Sequence, residues 1–537
     1  MTHNNSSSKA FWFFVILLSL SGLILGIYGF RIEDKHDLLF SNHFYDAFQM
    51  FILCHSFHDE INIWLELSRW IIFLVFLLVT FQLFITIIAP KFIQYTKIRL
   101  FYKNHIVICG LNDISLYLIN KFSRSRIVVI AAENNPFIES IKRRRVIQII
   151  GDPSCKHTMK LARTNVAEKL FILTDCDEKN IKITQTVVSF LKKSKRNNPL
   201  NCFTIVKDDE MRIIMEETSL LKLKTHNIDC SFLNINEVGI KYGITVNIDK
   251  ILPKKIQTPP EILLIDLTEK AISTLLNLAH CLTDNRETFR FTIVEQNTQK
   301  IESFQEKYAY LSEFAEIEFV NKANVNKIYD SVIVCSDNLI EAIKKAVATR
   351  YYFGKSFNER FIIVFCNETD TLNDIITKEF DKKNICFVNL FSQIAEYVFE
   401  LDNRFEERAK EAHYYWNVTY RMDKEWDTIS GHFKQSNRNQ ILDHYLKTFI
   451  ILGEKFDEIK DRLISFTDKD KETLAMMEHR RWMLEKIKNG WISDERDNEF
   501  KRHDCLIGWE QLPVEQKAKD YNVIDLMIKL INNQNEH

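Results

Sequence analysis

HIVICGLNDISLYLI, residues His105 to Ile119, is the stretch that decides the fold. An apolar β-branched run ends at Gly110, and an amphipathic helical pattern begins two residues later. Strand, tight glycine turn and helix in that order open a parallel α/β unit. Reading outward, further strands fall near 127–132, 146–150, 170–174 and 201–206. A second alternation places strands near 262–267, 289–295, 317–320, 331–335, 361–366 and 385–388. FILTDCDEKN (Phe171–Asn180) has a counterpart in VIVCSDN (Val332–Asn338), each leading into a helix rich in Val, Ile and Ala. Glu133 and Glu295 are read as holding the same place at the end of each block's second strand. The spacing predicts an internal duplication. From about 395 onwards the pattern is helical.

Ahead of the first strand lie two apolar runs, Phe11–Phe30 and Trp70–Pro90; the first is free of charge and the second carries only Thr80, Gln82 and Thr86 as polar breaks. At 1.5 Å per residue each crosses the roughly 30 Å hydrocarbon layer as a helix. A cleaved signal peptide is the competing reading of the first, against which stand its length and the lack of a small-x-small site after Phe30. Lys9 precedes the first run, while Lys91, Lys97, Arg99 and Lys103 follow the second without an acid. The loop between them carries Glu33, Asp34, Asp37, Asp46, Asp59, Glu60 and Glu66 against three cations. Both termini are therefore expected in the cytoplasm, in an inner-membrane, multi-pass arrangement. Within the loop, Phe44, Phe48 and Phe51 mark one apolar helical face. No glycine occurs between Gly29 and Gly110, so a carbonyl-lined potassium filter of the usual kind is not expected. Asp46 and Gln49 are the first pore-lining candidates.

The chain has 537 residues, a net charge of −1 and eleven scattered cysteines without a C-x-x-C pair. Three or four domains are expected, with reduced thiols and neither a disulfide framework nor a metal site. The basic run Lys142–Arg145 reads as a helix end whose cations complement the dipole, not as a nucleic-acid patch. No Ser-His-Asp order, catalytic carboxylate pair or P-loop lysine stands out, so no enzyme is expected.

Gly110, Asn112 and Ser115 occupy the G-x-G-x-x-G slots, with Asn and Ser replacing two glycines. Glu133 lies where a carboxylate can hold ribose hydroxyls. Gly151-Asp152 follows the third strand, and Thr174-Asp175-x-Asp177 with Asn180 follows the fourth. In that order these residues resemble the TrkA-N, or RCK, nucleotide-sensing domains found beneath potassium channels and transporters, over about 105–230. The resemblance implies a Rossmann-type sheet, dimerisation, and binding of NAD(H) or another adenine nucleotide. Gly110, Asn112 and Ser115 would face phosphate, Glu133 the ribose, and Asp152 with Thr174 the base side, with Asp175 a further cofactor-binding candidate. The second block has no glycine from 244 to 353, and is expected to serve as a degenerate, structural or dimerising partner.

MEHRRWMLEKIKNGW and RDNEFKRHDCLIGWEQLP set Glu478, His479, Trp482, Gly490, Trp491, Lys501, His503, Leu506, Trp509, Leu512, Pro513, Lys519 and Asp520 in one order. This resembles the RyR domain, the small helical repeat first named in ryanodine receptors, over about 470–533. Trp426, Gln435-Ser436-Asn437-Arg438 and His444 resemble the helical segment preceding it in bacterial membrane proteins. Indole faces stack on bases and guanidinium groups fork onto phosphate. Arg480, Trp482, Trp491, Arg496, Arg502, His503 and Trp509 are therefore the candidate ligand residues, alongside the reading of these tryptophans as simple core.

The expected architecture is a membrane α-helical hairpin (1–103), tandem Rossmann-like (RCK) parallel sheets (104–250 and 251–394), a helical connector (395–469) and an all-α RyR-like domain (470–537). The expected function is a nucleotide-gated ion-conducting protein, a homo-oligomer with a tetramer favoured by the eight-domain ring of the RCK family. By analogy it resembles bacterial antiviral effectors that depolarise the membrane. A non-conducting, membrane-tethered nucleotide receptor or scaffold is the alternative.

Overall fold

The computed structural model describes residues 3–34, 39–52, 61–84, 89–141, 146–192, 194, 196, 198–217, 227–254, 256, 258–354, 360–367, 380, 384–400, 404–429, 431–459 and 462–533. It divides into two compact units, Met1–Phe101 and Tyr102–His537.

In the first unit two helices are long and apolar enough to cross a membrane, over Phe11–Glu33 and Ile63–Leu83, with mean hydropathy 2.3 and 2.0. Only 22% of each stretch is buried, so the apolar faces point outward, unlike those of a core helix. The second helix starts seven residues before the expected Trp70, a correction to the sequence reading. Asn62 caps it, accepting from the amides of Trp64 and Leu65 at 3.0 Å. An Arg69–Glu66 pair at 2.9 Å lets two charged residues join its first turns. Gly22, Gly26 and Gly29 line the other helix where the two meet. A Cβ on Gly29 would sit 2.6 Å from Leu65 Cγ, and Ser68 Oγ donates to the Gly22 carbonyl at 2.6 Å. This is close small-residue packing of the kind used between membrane helices. The helix Phe40–Gln49 forms as expected; Asp46 and Gln49 are half-buried and His43 pairs with Asp34 at 3.1 Å. Leu53, at the end of the aromatic run, lies outside the described residues, as does Lys142–Arg145.

The second unit holds two six-stranded, all-parallel sheets. The first comprises β1 (Ile106–Cys109), β2 (Ile127–Ala131), β3 (Val146–Ile150), β4 (Lys169–Ile172), β5 (Leu200–Ile205) and β6 (Ile228–Leu233), ordered β3-β2-β1-β4-β5-β6. The second comprises β7 (Glu261–Ile265), β8 (Arg290–Val294), β9 (Glu316–Val320), β10 (Ser331–Val334), β11 (Ile362–Cys366) and β12 (Ile385–Asn389), ordered β12-β11-β10-β7-β8-β9. Renumbered within its block, each sheet follows 3-2-1-4-5-6, the doubly wound nucleotide-binding order. β1, β2 and β11 are buried at every position, which is why they read as unbroken apolar runs. β6 escapes that reading because Asp229 and Ser231 interrupt it.

The helix Leu390–Glu400 joins the two blocks. It leaves β12 and packs on the helices Asp113–Lys121 and Ile235–Val246 of the first block. Gly239 permits that approach, since a Cβ there would meet Leu390 O at 3.1 Å. Lys121 pairs with Glu396 at 2.5 Å, and Asn389 donates to the Tyr117 hydroxyl at 3.0 Å. The helices Arg404–Tyr420, Gly431–Leu452, Asp468–Lys488 and Val514–Asn533 complete the unit, and one hydrophobic core runs from β1 to Ile531.

Candidate functional site

In a doubly wound sheet the ligand crevice lies beyond the carboxyl ends of the strands where the strand order reverses, here between β1 and β4. Gly110 sits there with φ +99°, and a Cβ would lie 3.0 Å from the backbone of Leu173 and Thr174. Only glycine fits without strain. Asn112 caps the following helix: its Oδ1 accepts from the Ser115 amide, and Ser115 Oγ accepts from the Asn112 amide at 2.8 Å. Asn112 Nδ2 also donates across the crevice to Leu173 O at 2.6 Å and to Asp175 Oδ1 at 3.1 Å. The turn is thus latched by its own side chains. Ser115, expected to face phosphate, is fully buried within the capping box, its hydroxyl donating to the Asn112 carbonyl.

The other residues gather around the same rim. Thr174 gives its amide and hydroxyl to Asn180 Oδ1 at 2.9 and 2.6 Å, and Asp177 Oδ2 accepts from the amides of Lys207 and Asp208. Glu133 is exposed two residues past β2. Asp152 closes a local turn; the Ser154 hydroxyl and amide hold its carboxyl below the ordinary range.

Block two keeps the turn without the glycine. Asp266 has φ +72°, and its amide donates to Val294 O at 3.1 Å, as Gly110 donates to Ile130 O at 3.0 Å. Its carboxylate takes both contacts from Lys345 Nζ at 2.7 Å and accepts from Ser336. A paired side-chain carboxylate thus stands at the turn that corresponds to Gly110. The strand registers pair Cys109 with Ile130 and Ile265 with Val294. Glu295 therefore corresponds to Ala131, two residues before Glu133, which corrects the reading of those two acids as equivalent. Glu295 is consumed by the amides of Leu267, Gln296 and Asn297.

The C-terminal candidates separate into three groups. Arg480 is not at a ligand surface: it donates to the carbonyls of His280, Ala279 and Phe314 and lies over the Phe314 ring. It docks this domain on block two, satisfying carbonyls past the end of the helix Glu269–Leu278. Arg502 is exposed and paired with Asp494 at 2.8 Å. Trp509 is buried against His479 and Tyr521, as the core reading of these tryptophans expects. Trp491 packs edge-on to His503 and carries Lys486 Nζ 4.4 Å above its ring.

Trp482, Arg496 and His503, by contrast, share one cavity of about 340 Å³. His479 stacks on Trp482 (5.8 Å between centroids) and His503 meets its edge (4.9 Å). The Cys505 amide donates to His503 Nδ1 at 3.1 Å; burial, and then Arg496, lower the His503 pKa. The opposite wall comes from the helices Arg404–Tyr420 and Gly431–Leu452, through His413, Trp416, Phe433 and Asn437. Lys486 and Lys519 also line it. Neither was singled out as a ligand residue from sequence, although His479, Trp482 and Lys486 share one helical face at i, i+3 and i+7.

Beneath this cavity lies a buried ionic chain. Lys447 reaches Asp443 and Glu478, each at 2.6 Å; Arg481 holds Glu478 and Glu485 at 2.7 Å; Asp443 bonds His280 of block two at 2.6 Å. Arg481 and Lys447 drive the Glu478 carboxyl down to about 2 despite full burial. Glu478 and His479 thus face different partners, as adjacent helical positions should.

Residues 106–219 match the TrkA-N domain and residues 458–535 match the RyR domain. The chain carries a TrkA-N domain and a RyR domain. The RyR match begins twelve residues before the expected 470, taking in the segment 458–467 that leads to the helix Asp468–Lys488. No curated protein matches the chain. Among solved structures, GsuK bound to ADP is similar at 14% identity over 74% of this chain and 98% of its own, with a TM-score of 0.36. The GsuK channel bound to NAD is similar at 12%, over 74% and 84%, with 0.37. A shikimate dehydrogenase in complex with NADP+ follows at 11%, over 56% and 89%, with 0.27. The fold class rests on the two sheets themselves.

Proposed function

We propose that this protein is a nucleotide-gated membrane protein in which the soluble unit senses the ligand and the two apolar helices conduct ions. One observation carries the reading: a TrkA-N domain and a RyR domain follow two membrane-length helices on a single chain. The ligand class is a nucleotide, with NAD(H) or another adenine nucleotide first in line. A ligand moves such an equilibrium only through different affinities for two arrangements of the protein. Two helices cannot enclose a path by themselves, so the working form is a homo-oligomer, a tetramer first. On this reading both termini lie in the cytoplasm, and Asp46 and Gln49 are the first candidates to line a path without a carbonyl filter. Depolarisation as an antiviral response fits this build, and no turnover of the ligand is involved.

The test is ion flux from liposomes holding the full chain, with and without a panel of nucleotides. Flux that follows nucleotide supports the proposal. Nucleotide binding without flux under any condition leaves a membrane-tethered receptor that recruits partners, a reading favoured by the absence of glycine between Gly29 and Gly110.

A further inference from the structure

We infer that the ligand seat is the cavity between the connector helices and the RyR domain, and that it takes an aromatic polyanion of the nucleoside-phosphate class. The inference rests on the nucleotide-sensing reading above and deepens it by choosing between two candidate sites.

The charges decide the class. Three acids line the cavity, and all are engaged: Glu478 by Lys447 and Arg481, Glu485 by Arg481, and Asp520 by His479 at 3.5 Å. Among the described residues, Lys486, Arg496 and Lys519 line it without an ion pair to any carboxylate. Burial lowers the Lys486 pKa most; Glu485 opposes that shift and Arg496 adds to it, so Lys486 and Arg496 repel one another. Like charges gathered around a partly buried Lys486 favour an anion.

The walls decide the rest of the ligand. Trp482, whose ring already stacks on His479, and Trp416, 41% exposed, both line the same space. Aromatic faces beside unpaired cations suit a base with phosphate attached, each base stack contributing about 1–3 kcal/mol in nucleic-acid sites. About 340 Å³ falls within the size range of small-molecule sites. The switch point between β1 and β4 offers none of this, because Asn112, Ser115 and Asp175 bond one another there. Arg481 lines this cavity and also a second one that reaches Arg212 and Glu237 of block one. Ser436 and Glu485 line both as well, so occupancy can bear on the packing of the sheets through these shared side chains.

The full chain in detergent micelles would be titrated with ATP, NAD, adenosine and pyrophosphate, following tryptophan fluorescence and heat. ATP or NAD should bind, adenosine should bind more weakly, and the double variant R496E/K519E should lose roughly tenfold or more in affinity. Both residues are exposed, so folding should be unaffected; W416A gives a second variant lacking only a stacking face. Asn112→Ala should change affinity by less than about twofold, well under one charge-assisted contact. Unchanged affinity in R496E/K519E and W416A, or no binding of any of the four probes, overturns the site. In liposomes, nucleotide-dependent flux that survives R496E/K519E would leave the sensing reading standing and remove this site. ATP binding lost in that variant, without flux in the native chain, would keep the site and remove conduction.

Discussion

The two switch points and the C-terminal cavity answer the same chemical problem in opposite ways. At the end of β1 the turn is closed by Asn112 and Ser115, and at the end of β7 by the carboxylate of Asp266 held by Lys345. In the C-terminal cavity the acids are neutralised from below while Lys486, Arg496 and Lys519 stay unmatched. A site whose polar groups are satisfied internally has little left for a ligand; a site holding uncompensated charge has a reason to bind one. The same residue types serve as structure in the first case and as recognition in the second.

The sharpest way to break this division is to remove charge from each class. Arg481→Ala removes the Glu485 contact, leaves Glu478 with Lys447 alone, and should cost about 3–5 kcal/mol, read by urea denaturation of the full chain. Arg496→Ala, lacking a partner, should stay within about 0.5 kcal/mol. Equal costs would erase the distinction between fixed and open charge.

The two turns can be exchanged. Gly110→Asp places a Cβ 3.0 Å from Leu173 and Thr174 at φ +99° and should cost about 2–3 kcal/mol, from left-handed strain plus the clash. Asp266→Gly relieves a left-handed strain of similar kind but gives up the Lys345 pair, which is partly exposed. Its net change should stay under about 1 kcal/mol, since exposed ion pairs contribute little. The same denaturation measurement checks both, and a large cost at Asp266 would show that the carboxylate holds the sheet together.

Acid separates the regions further. His444 is fully buried with neither ring nitrogen hydrogen-bonded, and burial, helped by Lys447, lowers its pKa to about 3. The folded value lies below the unfolded one near 6.5, so the unfolded chain binds the extra proton between those limits. Stability should be constant on this account above pH 6.5 and fall by about 1.4 kcal/mol per pH unit below it. His444→Phe should remove one proton from that slope in a pH series of melting curves; an unchanged slope would contradict the burial argument. The latch should show a modest effect: Asn112→Ala should cost about 1 kcal/mol, the usual loss of a helix cap.

Much of this was legible in the sequence wherever a residue's role is set by its neighbours along the chain. Eleven of the twelve strands follow from apolar runs bounded by turns, because buried parallel strands tolerate little else. The missing one, β6, carries Asp229 and Ser231, whose partners Lys434 and Arg438 come from a helix about two hundred residues later. The second apolar helix was placed late because its first turns include Glu66 and Arg69, which neutralise each other locally. Trp482, Arg496 and His503 could be marked from indole and cation spacing alone. Arg480 has the same spacing and points the other way, into carbonyls of block two that only the folded chain brings near. The opposing wall, Trp416 above all, was invisible for that reason: nothing local in the helix Arg404–Tyr420 says what it will face.

Hydrogen–deuterium exchange on the full chain in lipid nanodiscs, with and without saturating ATP, compares the two kinds of site in one experiment. The account predicts slower exchange across 410–440 and 480–520 and no change across 106–120. Protection confined to the turn after β1, with the C-terminal cavity unaffected, would contradict it.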